Sequence, residues 1–413
     1  MAIPSPAPHI AAFEQFGYGL FLHWGLYSQI GQGEWIMSQQ RIPHAEYRKL
    51  ADTFTAEDFD GRAIARTARR AGMRYITLTT RHHDGFSLYD TKGLNDFDAP
   101  HSAAGRDLIA EFVAGCRAED IVPVFYHTTL DWSRPEFTDD FPAYLAYLRD
   151  SVEILCTNYG EIGGLWFDGN WSKRDADWEE DALYGMIRSH QPNAMIINNT
   201  GLGNCGALGH PELDSITFEQ GRPEALNREG MSKYVAVEMC QTMNGHWGIG
   251  AADFRYQSPK EVIENLAACR RVGANYLLNV GPTASGAIPD YERACLERVG
   301  DWVSRYDECL RCARPHPAKA QHASDFVLAH PDGRLFVFVH DLGVQGSADV
   351  VVRGGRGGAM ALSGIDRPIK RVRWLGNDED MSFSHDADTG LLVFKATGYP
   401  YGVHHVVRVA ELS

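Results

Sequence analysis

The chain has 413 residues, 44% of them hydrophobic, with 54 acidic side chains against 39 basic ones and a formal net charge of −15. That length points to two domains with a sizeable core, and the acidic balance argues against nucleic acid and other polyphosphates, whose partners carry a basic excess. No apolar run reaches the roughly 18 residues of a membrane span, and the opening MAIPSPAPHIAAFEQFGYG lacks the basic, apolar and small-residue succession of a secretory signal, so a cytoplasmic protein with no membrane partner is expected.

In chain order, eight short β-rich runs alternate with amphipathic segments between residues 18 and 282. The runs are YGLFLHW (18–24), YITLTTRHH (75–83), VPVFYHT (122–128), GGLWFDG (163–169), AMIINNT (194–200), SITFEQG (215–221), KYVAVEMC (233–240) and NYLLNVG (275–281). Helical periodicity marks 56–72, 106–119, 141–159, 176–191 and 258–273 between them, and 289–306 after the last. Such units predict an α/β fold, a closed (β/α)8 TIM-like barrel over residues 1–312. From about 320 the pattern changes to alternating strands, FVLAHPDGRLFVFVH, ADVVVRGG, KRVRWLG, LLVFKAT and HHVVRVAEL, separated by Gly and Asp turns. This predicts a C-terminal antiparallel β-sandwich over 320–413. The eight cysteines (116, 156, 205, 240, 269, 295, 309 and 312) sit in apolar contexts and read as buried thiols; the lone C-x-x-C at 309–312 has no second pair at zinc spacing.

The barrel runs begin apolar and end polar, in His23, His82, His83, His127, Asp168, Asn198, Asn199, Glu219, Glu238 and Asn279. Barrel enzymes carry their chemistry at the C-terminal ends of the strands, so these residues are the candidates. Asp168, Glu219 and Glu238 end runs four, six and seven, and two carboxylates facing one bond are what glycoside hydrolysis requires. Trp24, Trp35, Tyr126, Trp166 and Trp247 add aromatic faces suited to the C–H face of a sugar, with core filling as the alternative, strongest for Trp24. A metal-dependent barrel hydrolase is the rival reading, with His23, His82, His83 and His127 as ligands. Against it, adjacent His82 and His83 point to opposite sides of a regular strand.

FGYGLFLHWGLYS (16–28), GEWIM (33–37), TLTTRHHDGFSLYDT (77–91), VFYHTTLDW (124–132), LWFDG (165–169) and NYLLNVGPTASGAIP (275–289) resemble, in order, the motifs of glycoside hydrolase family 29, the retaining α-L-fucosidases. The resemblance covers most of the barrel, from about residue 10 to 306. It implies an exo-acting enzyme without metal or other cofactor that removes terminal fucose from a fucosylated oligosaccharide or glycoside through a covalent fucosyl-enzyme. It implies Asp168 as nucleophile and Glu219 as acid/base, with Glu238 the lesser candidate, or a residue that binds a hydroxyl or holds a neighbour. His23, Trp35, His82, His83, Tyr126, Trp166 and Trp247 match positions that hold the fucose ring. The chain departs from the family at Asn198, Asn199 and Thr200, where many members carry an arginine, and at Val237 before Glu238, where a tryptophan is usual. A fucose-binding relative without catalysis is the remaining alternative.

Overall fold

The computed structural model describes residues 2–200, 202, 206–347, 349–351 and 354–413. Eight parallel strands close a barrel in sequence order: β1 (Tyr18–Leu22), β2 (Tyr75–Arg81), β3 (Val122–Thr128), β4 (Gly164–Asp168), β5 (Met195–Asn198), β6 (Ser215–Glu219), β7 (Ala236–Thr242) and β8 (Asn275–Val280), which pairs back to β1. Seven of the predicted runs contain one of these strands, and the remaining run, 233–240, overlaps β7, which continues to Thr242. Several stop earlier than their apolar pattern suggests, so that His23, His82, His83 and Asn199 lie just past strand ends, where the backbone leaves the sheet.

Five of the six predicted helical stretches contain the helices Gly61–Arg70, Leu108–Ala118, Phe141–Asn158, Glu180–His190 and Pro259–Arg271, while the last helix, Asp290–Cys312, runs six residues beyond the predicted 289–306. Four begin at a polar cap: Asp60, Asp107, Asp140 and Ser258 each accept a backbone N–H of the first turn, which fixes where the helix starts. Among the described residues no helix lies between β5 and β6 or between β6 and β7. Irregular chain follows Asn199 and Glu219 instead.

The barrel interior is filled by side chains. The helix Pro8–Phe16 contributes Ile10 and Phe13 to the same buried cluster as Phe21, Tyr75, Val124, Tyr126, Trp166, Ile197 and Leu277. Tyr75 stands opposite Gly19 in the pairing of β1 with β2, and a Cβ on Gly19 would lie 2.4 Å from the Tyr75 ring. Glycine is therefore what admits the large ring. Alternation along β3 and β4 brings Tyr126 and Trp166 inward beside it, one layer below the strand ends.

The C-terminal strands are β9 (Arg314–Pro315), β10 (Lys319–Ala320), β11 (Phe326–Ala329), β12 (Leu335–His340), β13 (Gly358–Ser363), β14 (Val372–Trp374), β15 (Phe383–Asp386), β16 (Leu391–Ala396) and β17 (Val407–Leu412). They form two antiparallel sheets, ordered β10-β13-β16-β15 and β14-β17-β12-β11-β9, whose inner residues, among them Val337, Trp374, Leu392 and Phe394, share one core. The strand expected in ADVVVRGG falls partly outside the described residues: residues 349–351 turn, and 348, 352 and 353 are not described. Gly354 and Gly355 adopt φ of 129° and 79°, so an extended strand cannot run through them, and the next strand starts at Gly358.

The chain divides into two compact units, residues 1–257 with 275–297, and 258–274 with 298–413. This differs from the expected division at 312–320. Residues 258–274 and 298–312 group with the C-terminal strands because they are bonded there: Arg270 Nε donates to the Leu310 carbonyl at 2.8 Å, and Trp302 Nε1 to the Val407 carbonyl at 2.8 Å. The seven described cysteines are free, with Cys309 buried and Cys312 exposed, and Cys205 lies outside the described residues. Among the described residues no helix is long and apolar enough to cross a membrane.

Candidate active site

At the C-terminal end of the barrel strands lies a pocket lined by Phe21, His23, Trp35, His82, Tyr126, Trp166, Asp168, Trp171, Asn199, Leu202, Glu219 and Trp247. Asp168 ends β4 and is far from unpartnered. Oδ1 accepts from Trp171 Nε1 at 2.9 Å and Asn199 Nδ2 at 3.5 Å; Oδ2 accepts from the Tyr126 hydroxyl at 3.2 Å and lies 3.5 Å from His83 Nε2. Burial by itself would raise its pKa. The hydrogen bond and charge of His83, with the bonds from Trp171 and Tyr126, outweigh burial and hold the carboxyl below the usual aspartate value. Gly169, at φ 126°, makes the tight turn that folds Trp171 back over Asp168.

Glu219 ends β6 and has the opposite bias. Burial, then the Asp168 charge, push its pKa up to about 7. Asn199 joins the two acids: its Nδ2 donates to Glu219 Oε2 at 2.6 Å and to Asp168 Oδ1 at 3.5 Å, so these two oxygens are at most 6.1 Å apart. The orientation of that amide is set from below, because Thr217 Oγ1 donates to Asn199 Oδ1 at 3.1 Å. The result is a carboxyl biased towards ionisation and one biased towards protonation facing a common space.

The histidines are fixed as neutral hydrogen-bonding groups or as supports. His23 Nδ1 bonds Asn279 Oδ1 at 2.7 Å, and Asn279 spends its own amide on the Trp247 carbonyl at 2.7 Å, so Nδ1 is the donor and Nε2 is left as an acceptor. Burial lowers the His23 pKa to about 3 and that of His82 well below its usual value. His82 stacks on Tyr126 with ring centroids 5.5 Å apart. The expectation that His82 and His83 point to opposite sides does not hold. β2 stops at Arg81 after a register shift at Thr79, regular alternation is lost, and the two rings lie 4.2 Å apart.

His83 is itself not on the pocket wall as expected of a ring-holding residue. It is buried behind Asp168, where Thr128 gives its hydroxyl proton to the Leu130 carbonyl and accepts from His83 Nδ1 at 2.6 Å. Trp35 packs edge-on to His83 and stacks on Trp171, 5.8 Å between centroids, forming the rim. Trp247 lies 5.0 Å from the His23 ring and, with Phe21, supplies apolar surface. The four histidines proposed as metal ligands do not converge: His127 leans away from the pocket, bonded to the Thr128 carbonyl at 2.8 Å and the Tyr89 hydroxyl at 3.4 Å. Trp24 is core, stacked on Phe59, and Asn198 turns outward to the Tyr184 hydroxyl at 2.9 Å.

Glu238 requires a correction as a substrate-binding residue. Burial raises its pKa to about 7, as for Glu219, so titration alone does not separate the two acids. Position does. Glu238 is fully buried one layer down in the barrel, outside the pocket, with Oε1 accepting from Trp166 Nε1 at 2.9 Å and Oε2 from the Tyr75 hydroxyl. It holds Trp166, part of the pocket lining, from below. Its raised pKa means that the folded chain keeps a proton which the unfolded chain releases. That stabilisation is whole below about pH 4.5 and is lost as pH rises through 7, a change of up to roughly 3 kcal/mol. Glu238→Gln, which retains an acceptor and a neutral partner group, is expected to flatten the decline of Tm between about pH 5 and 8 relative to wild type. An undiminished decline would place the titrating group elsewhere.

Three residues of the site escaped the sequence reading. Trp171 carries a signal, an indole three residues after the strand-ending acid, whereas Phe21 and Leu202 carry none beyond being apolar. Asn199, a candidate only as one of the polar strand ends, spans the two carboxylates.

Residues 5–308 match the family model described as Alpha-L-fucosidase. Tissue α-L-fucosidase of Bos taurus is 25% identical over 419 residues, spanning 94% of this chain and 84% of its own. Among solved structures, α-L-fucosidase isoenzyme 1 from Paenibacillus thiaminolyticus is 30% identical, covers 98% of each chain and superposes with a TM-score of 0.83. A GH29 α-L-fucosidase from Bacteroides thetaiotaomicron, in a trapped covalent intermediate with 2-fluoro-fucosyl fluoride, shares the fold at 21% identity and a TM-score of 0.82, covering 100% of this chain and 97% of its own. With a matched barrel and paired carboxylates at its mouth, the chain belongs to the α-L-fucosidase family of glycoside hydrolases, GH29.

Proposed function

We propose that the protein is an exo-acting, retaining α-L-fucosidase in which Asp168 is the nucleophile and Glu219 the acid/base. The observation that carries this is the single Asn199 amide touching both carboxyls. Retaining glycosidases place their carboxyls about 5–5.5 Å apart, and inverting ones about 6.5–9.5 Å to admit a water. The bound of 6.1 Å between Asp168 Oδ1 and Glu219 Oε2, the one oxygen pair joined through Asn199, supports the closer spacing.

In this reading a terminal fucose enters a pocket whose floor is closed by Trp166 and Phe21, which excludes internal sugars. Neutral His23 and His82 and the Trp35 indole meet hydroxyls, and the Phe21 and Trp247 faces suit the C6 methyl. Glu219 protonates the glycosidic oxygen as Asp168 attacks the anomeric carbon, giving a covalent fucosyl-enzyme. Glu219, now ionised, takes a proton from water, which displaces Asp168 and restores the original configuration. The trapped covalent intermediate of the Bacteroides thetaiotaomicron relative supports this chemistry for the family.

Proton NMR of early turnover tests it. With 4-nitrophenyl α-L-fucoside, α-L-fucose should appear first and the β-anomer only by mutarotation. First appearance of the β-anomer would exclude a double displacement.

A further inference from the structure

A cavity of about 460 Å³ lies within the C-terminal unit, among residues of the helices Pro259–Arg271 and Asp290–Cys312 and of the loop 402–406 that leads into β17. We propose that it binds an acidic monosaccharide, a pyranose carrying a sulfate ester or a carboxylate, at a site separate from the catalytic pocket. The proposal does not depend on the fucosidase reading.

Charge is the first argument. Arg298, Asp301, Trp302 and Arg305 recur at helical spacing, so they share one face of their helix, and that face lines the cavity. Asp301 is the one carboxylate among the lining residues, and Arg298 answers it, with Nη1 3.0 Å from Oδ2. Arg305 is exposed and makes no hydrogen bond or ion pair with a described residue, which leaves its guanidinium fork open to an oxyanion. His405 registers the excess: burial, then the charges of Arg305 and Arg408, lower its pKa. His404 Nδ1 accepts from the Val406 backbone N–H at 3.3 Å, so the neutral ring carries its proton on Nε2 and adds a donor. In a chain of net charge −15, an acidic ligand needs such a local reversal of sign.

The loop is held in a costly shape. Val406 has φ 65°, which a β-branched residue rarely adopts, and the Val407 N–H returns to the His405 carbonyl at 2.7 Å, a γ-turn of the strained, positive-φ form. Trp302 Nε1 donates to the Val407 carbonyl at 2.8 Å, and the Tyr399 ring lies 4.5 Å from that of His404. These contacts keep the strained turn, and with it both histidines, at the cavity wall. Size then sets the class of ligand. At about 30 Å³ for each water-sized group the cavity has room for roughly fifteen, one monosaccharide with its acid group and far more than a bare inorganic anion. Ile263, Val403 and Trp302 give apolar surface for the C–H face of a pyranose.

Isothermal titration calorimetry of the full chain with glucose 6-sulfate, glucuronate, glucose and inorganic sulfate tests this. One equivalent of at least one acidic sugar is expected to bind with a Kd of about 1 mM or tighter, and the comparison of the two tells sulfate ester from carboxylate. Arg305→Ala, which alters an exposed side chain, should weaken that binding about tenfold or more while hydrolysis of 4-nitrophenyl α-L-fucoside stays within about twofold. Equal binding of glucose or of inorganic sulfate, binding that survives Arg305→Ala, or no binding of either acidic sugar overturns the proposal. A wild-type protein that binds an acidic sugar through Arg305 but hydrolyses no fucoside would remove the fucosidase reading and leave this site standing.

Discussion

Asp168→Ala is expected to lower kcat on every fucoside by on the order of 10⁴-fold or more, whatever the leaving group. The other acid of the pocket, Glu219, sits on the opposite side of the Asn199 amide and is biased towards its protonated form, so no second ionised carboxylate can take over. Azide supplies a check that loss of fold would not pass. A small anion entering the space vacated by the carboxylate should attack once, without a covalent enzyme, and give β-L-fucosyl azide of inverted configuration. Deleting the acceptor also strands the Trp171 Nε1 and the Tyr126 hydroxyl, each at a cost of about 1–3 kcal/mol, so Tm should be measured alongside. Activity within tenfold of wild type would show that the nucleophile is another group.

Glu219→Gln is expected to separate substrates by their need for a proton. Cleavage of a native fucosyl glycan should fall by about 10²–10⁴-fold, whereas fucosyl fluoride should still fucosylate the enzyme rapidly. Release then slows because the base is gone, so a burst precedes a slow steady state. Azide should rescue that step with α-L-fucosyl azide, the retained configuration. The pH profile changes in a defined direction. With these proposed roles, wild-type kcat/KM should require ionised Asp168 and protonated Glu219, and should fall at low pH below the depressed Asp168 pKa and at high pH as Glu219 ionises near pH 7. Glutamine cannot ionise, so the alkaline limb should disappear in this variant while the acid limb stays. Persistence of the alkaline limb would move the acid role away from Glu219.

The barrel was legible because each of its eight runs carries β-branched or aromatic residues over a buried length, and eight such runs alternate with helical segments as a closed parallel sheet requires. The place of the chemistry was legible too, since polar residues gathered at one end of otherwise apolar runs. Strand ends were less so. The sequence contains no mark at Arg81 where β2 stops, and the regular alternation assumed beyond it placed His82 and His83 on opposite sides. In the C-terminal unit the valines at 350 and 351 suggested a strand, but both lie in a turn, and Gly354 and Gly355 follow with positive φ.

The two glutamates mark the boundary between the kinds of information. Glu219 and Glu238 both end apolar runs, and burial raises both to a pKa of about 7, so residue type, spacing and titration treat them alike. The sequence by itself determined the eight strands, the acids at their ends and the family motifs, because these follow from local periodicity and residue type. Only the tertiary structure decided which acid faces Asp168, since that depends on the stagger between strands. In that stagger Glu238 pairs alongside Thr217, a layer below Glu219, and closes on Trp166 and Tyr75. Asn199 is the same case: its chemistry was visible, but its role arises from lying between two carboxylates on strands far apart in sequence, a distance that no local pattern encodes.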